Sequence, residues 1–141
     1  MEDKLLEELY ASYKGDTYAA QLRNAVEKYG DLKTAEMIID QFGYSQSNSD
    51  TSGAIGFRVS YWNRLKTEFD KLVCGHSQYA KESKDFYVFG KFFSLATASS
   101  MATTLAPMLS IPVYILTPTI ALMLHSMMKI GINAYCNTVN I

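Results

Sequence analysis

The sequence predicts an all-α protein with a small N-terminal three-helix head, an amphipathic helix and a C-terminal hydrophobic helical hairpin of membrane-spanning character. Three observations lead there. Apolar residues recur at three- and four-residue spacing through the first half of the chain, the period of a helix with one buried face. Asp and Gly punctuate that pattern at helix starts and stops. Residues 92–128 contain no Asp, Glu, Lys or Arg, and only Lys129 carries a charge beyond them. So long an uncharged run is rare where an element has a solvated face, and it suffices for one membrane span or two minimal ones.

The first helix is expected over 2–14, with Leu5, Leu6, Leu9 and Tyr13 on one face and Gly15 as its stop. Asp16 or Thr17 starts the second, whose face is Tyr18, Leu22, Val26 and Tyr29, and Gly30 ends it. Asp31 caps the third, with Leu32, Ala35, Ile38, Ile39 and Phe42 inward and Gly43 as its end. The chemistry is local. An Asp side chain accepts from orphan amides at a helix start, and Gly adopts the left-handed closing conformation without a Cβ penalty. A break over 44–56, rich in Ser, reads as a flexible loop. Helix four is expected over 57–74, burying Phe57, Tyr61, Leu65, Phe69, Leu72 and Val73, with Trp62 beside them. The expected division is therefore a head at 1–45, a loop at 46–56, helix and connector at 57–85, the hairpin at 86–136 and a tail at 137–141.

The hairpin divides at Pro107–Pro112. Its first half is rich in Ala, Ser and Thr, its second in Leu, Ile and Met with Pro118 inside. Ala98, Ala102 and Ala106 recur every four positions, a small-residue seam that permits close helix packing. Ser94, Thr97 and Thr104 lie near it and, with His125, are candidate pore-lining residues. Lys84 and Lys91 before the run, Lys129 after it, and Trp62 on helix four are candidate membrane-interface residues, with both hairpin ends on the basic side of a membrane.

Charge excludes some functions. Residues 1–45 hold five basic and nine acidic residues, net −4, against net +2 for 46–91. The segment 25–47, AVEKYGDLKTAEMIIDQFGYSQS, resembles a helix-turn-helix. Its second helix carries Glu36 and Asp40 where a DNA reader needs donors, so nucleic acid is not an expected partner. Cys74 and Cys136 are too few for a disulfide scaffold and sit far apart. They read as apolar fillers in a reducing compartment. Asp70, Cys74 and His76 cluster at a helix end without a third orienting group. No zinc, phosphate-loop or serine-hydrolase motif is present, so neither enzyme activity nor a cofactor is expected. The opening residues are acidic and amphipathic, unlike a signal peptide.

The expectation is a non-enzymatic membrane protein of the inner membrane with both termini cytoplasmic. Its head meets a protein partner, its hairpin enters the bilayer, and copies associate through the alanine seam into a pore-forming or membrane-disrupting effector. The alternative is a soluble all-α binding or regulatory protein whose hairpin is its buried core.

Overall fold

The computed structural model describes residues 4–13, 17–46, 51–75 and 94–139. They form seven helices and no strand: α1 (Lys4–Ala11), α2 (Thr17–Tyr29), α3 (Asp31–Gln46), α4 (Thr51–Val73), α5 (Leu95–Leu109), α6 (Val113–Met128) and α7 (Ile132–Thr138).

The second half of the hairpin, α6, is the centre of the molecule. It lies against α1, α3 and α5. Ten of its sixteen residues are buried, and they face every direction around the axis, from Leu116 through Ile120–Leu124 to Met127. Around it α1, α3, α4 and α5 are jackets with one apolar stripe each. Leu5, Leu6 and Leu9 of α1, Ala35 and Ile39 of α3, and Leu65, Phe69 and Leu72 of α4 join α5 and α6 in a single buried cluster. An all-round apolar helix is satisfied when its neighbours supply the amphipathic faces. No single described helix is long and apolar enough to cross a membrane; α6 and α7 pass such a test only together, bent by 99°.

Local chemistry sets the hairpin. Ser94 is the N-cap of α5, its Oγ accepting from the Thr97 amide at 3.2 Å. Glu8 of α1 accepts from the Leu95 amide at 3.2 Å, placing a carboxylate at the positive end of α5. At the other end Arg64 donates to the Met108 carbonyl at 2.9 Å, a cation at the negative end. Ser110 closes α5 in the left-handed conformation (φ 58°), and Pro112 stands before α6, where a missing amide costs nothing. Inside α6, Thr117 and Thr119 donate to carbonyls one turn back at 2.9 Å, which satisfies hydroxyls amid apolar neighbours.

Several boundaries differ from expectation. α3 does not stop at Gly43 but continues to Gln46, with Gly43 buried inside it. Packing of α3 on α4, including Phe42 edge-on to Tyr61 at 5.5 Å, outweighs the ~1 kcal/mol that glycine costs a helix interior. α4 starts at Thr51, so the second half of the expected Ser-rich loop is helical, while residues 47–50 lie outside the described residues. Leu32 and Tyr29, both expected inward, are 42% and 45% exposed. The polar tail is not plain coil: α7 spans the expected 136/137 boundary.

The largest correction concerns cysteine. Cys74 and Cys136 are joined in a disulfide across 62 residues of sequence, with Cα atoms 5.6 Å apart. They are cross-linkers between α7 and the end of α4, and not separate fillers. The hairpin brings the two together by folding back on α4.

Candidate functional site

A cleft of about 330 Å³ opens where α1, α2, the start of α3 and the end of α6 meet. Its position follows from Gly30, whose positive φ (87°) reverses the chain between α2 and α3. That turn aims Asp31 at the last turn of α6. Asp31 Oδ2 lies 2.7 Å from His125 Nδ1 and 3.5 Å from Lys129 Nζ. The Asp31 and His125 side chains are only 5% and 6% exposed, whereas Lys129 is 58% exposed. An acid at a helix start facing a lysine at a helix end is favourable for both dipoles. The three residues therefore clamp α3 to α6.

Tyr10 and Arg23 line the outer wall. The Arg23 guanidinium lies 4.6 Å from the Tyr10 ring centre and 3.4 Å from Glu7 Oε2. Burial raises the Tyr10 hydroxyl pKa, and Arg23 partly opposes it. Both members of the Arg23–Glu7 pair are at least half exposed, so solvent screens it to ~0–1 kcal/mol.

An Asp–His pair is the orienting part of an acid–base relay, and it needs a nucleophile or bound water to act on. Tyr10 is the only hydroxyl among the lining residues, and none of them is Ser, Thr or Cys. The cleft thus brings charged groups together and offers no Ser, Thr or Cys nucleophile among its lining residues. Among the described residues no group of three or more His, Cys, Asp or Glu could hold a metal ion.

The sequence-derived candidates fall in several places. Ala98 and Ala102 are fully buried, and Ala106 packs at the edge of the same core, on a helix that lies along α6. Ser94, Thr97 and Thr104 are on α5. Ser94 and Thr97 hydroxyls are 3.1 Å apart, and Thr104 donates to the Ser100 carbonyl at 3.0 Å. His125 is not grouped with them but sits in the cleft. Trp62 is half-buried on α4. Lys84 and Lys91 lie outside the described residues. His125 and Lys129, one turn apart in sequence, do share a face, and what they share it with is Asp31.

A second polar cluster escaped the sequence reading. The Tyr135 hydroxyl donates to Asp70 Oδ1, one helical turn from Cys74 on α4. Burial raises the Asp70 carboxyl above its usual range, while Tyr135 and Lys66 pull it back. The Tyr135 hydroxyl is likewise pushed up, by burial and by Asp70. The sequence already grouped Asp70 with Cys74; Tyr135 and the disulfide partner were what it did not reveal. In comparisons with known proteins the chain matches no family model, no curated protein and no solved structure.

Proposed function

We propose that the chain is a non-enzymatic helical binding or regulatory protein whose charge-free hairpin serves as its core. The observation that carries this is the enclosure of α6, with His125 at its end paired to Asp31 of the head. The proposed contact face surrounds the cleft. Tyr29, Leu32 and Ile130, chain neighbours of the cleft residues Gly30, Asp31 and Lys129, are each more than 40% exposed. Apolar residues around a charged centre suit a protein partner. Fractionation of the expressed full chain tests the reading. Recovery without detergent, in monodisperse form, is the expected result; retention in alkali-washed membranes overturns it.

A second reading is favoured by the uncharged run over 92–128 and by the bent α6–α7 pair that passes the span test together. In it the bundle stores the hairpin until it meets an inner membrane. There copies associate through Ala98, Ala102 and Ala106 and disrupt the bilayer, with both termini on the cytoplasmic side. Release of an entrapped dye from anionic vesicles by the purified chain supports this reading, and intact vesicles with protein confirmed in the floated fraction leave a plain anchor.

A further inference from the structure

We propose that α7 is a redox-released flap, latched by the Cys74–Cys136 disulfide, hinged at Gly131, and opened by a dithiol reductant. The inference does not depend on the membrane reading.

Apart from the latch and its neighbours on α4, the flap is held only by partial packing of Ile132 and Tyr135 on the core. α7 has seven residues and none of them is buried. A helix that short does not persist alone in water. It leaves α6 at 99°, and the turn is made at Gly131 with φ +90°. An added Cβ at Gly131 meets nothing within 4 Å, so the hinge has free space around it. Its tethers to α4 lie within little more than one turn of that helix. They are the disulfide at Cys74, the Tyr135 hydroxyl on Asp70, and the Tyr135 ring edge-on to Phe69 at 6.5 Å. One of these is covalent and two are not. The covalent one also closes the chain around all of α5 and α6.

The latch is reachable and its chemistry balances. Both cysteines are half-buried. A thiolate of the dithiol attacks one sulfur, forming a mixed disulfide while the other cysteine leaves with the bonding electron pair and takes up a proton. The second thiol of the reductant then displaces the remaining cysteine, leaving a cyclic disulfide on the reductant and two protein thiols. Two electrons pass to the protein. Opening uncovers the Phe69 ring and the Asp70 carboxylate on α4, a face that is covered only while the bond is intact. The device reports the redox poise of the compartment by order or disorder of α7.

Hydrogen exchange on the full chain tests this, comparing the oxidised protein, the protein reduced by dithiothreitol with free thiols titrated, and the Cys74→Ser/Cys136→Ser variant. Amides of 132–138 are expected to exchange at least about tenfold faster in the reduced protein and in the variant, while amides of 116–124 keep their protection. Reoxidation restores the first state. Unchanged exchange in α7 after full reduction overturns the proposal, because the non-covalent tethers then suffice. Equal loss of protection in 116–124 also overturns it, because the disulfide is then a staple of the whole fold.

Discussion

Asp31→Ala is the substitution that most directly tests how the head and hairpin are joined. The Asp31 and His125 side chains are 5% and 6% exposed and 2.7 Å apart. Stranding a neutral buried hydrogen-bond partner costs ~1–3 kcal/mol, and stranding one member of a buried ion pair ~3–5 kcal/mol. Loss of the acid at the start of α3 adds ~0.3–1 kcal/mol. Lys129 is mostly exposed and its share is ~0–1 kcal/mol. The expected total is about 3 kcal/mol, which lowers the urea midpoint by about 1.5 M for an m-value of about 2 kcal/mol/M. The companion is the double variant Asp31→Leu/His125→Leu. Replacing both members of a buried pair by apolar groups of similar size is expected to be close to neutral. Urea unfolding of the parent, Asp31→Leu, His125→Leu and the double gives the coupling free energy, expected at about 2–3 kcal/mol. A double variant whose loss is the sum of the singles, or an Asp31→Ala protein within 0.5 kcal/mol of the parent, refutes the clamp.

Three further outcomes follow from the same geometry. Leu124, fully buried on α6, should cost ~2–5 kcal/mol as Leu124→Ala, whereas Tyr114→Ala, at a residue 74% exposed on the same helix, should stay within ~0.5 kcal/mol; equal effects in thermal melts contradict the enclosure of α6. Asp70 holds its proton more tightly in the folded state than its usual value of 3.8 allows, so the stability it contributes is full below that value and declines as pH rises through the raised one. Asp70→Asn still accepts the Tyr135 hydroxyl, and it should flatten this decline in melts recorded between about pH 3 and 7; an unchanged slope assigns it elsewhere. Gly131→Ala meets no steric contact, so its cost is conformational, ~1–3 kcal/mol for a backbone region open only to glycine, and a melting temperature equal to the parent's shows that the turn relaxes freely.

What was legible in the sequence was whatever chemistry is local. The stripe of Leu5, Leu6 and Leu9 and the Gly30 turn appear where periodicity and capping place them, whereas the break expected over Pro107–Pro112 begins only at Ser110, with Pro107 still inside α5. What was not legible depends on partners distant in the chain. Asp31 reads as an ordinary helix-start acid, and nothing nearby reveals a His 94 residues on. Cys74 and Cys136 share no motif, and only the return of the hairpin onto α4 joins them. Gly43 stayed helical because α3 has α4 to lie on, an interaction that outweighs glycine's preference. The uncharged run states that 92–128 avoids water. It does not distinguish lipid from protein as the alternative, and in this structure α1, α3 and α4 are the covering.

The central position of α6 also sets an order of events during synthesis. The helices made first, α1 and α3, bury their apolar faces largely on a helix that begins at Val113. Until that segment leaves the ribosome, the N-terminal stripes have only each other, α4 and α5. Contacts between segments this far apart in the chain close slowly, and incomplete intermediates expose apolar surface meanwhile. The nascent chain therefore waits, unfinished and adhesive, for α6. Chaperone dependence should be greatest for chains halted before α6, and should fall sharply once that helix is released.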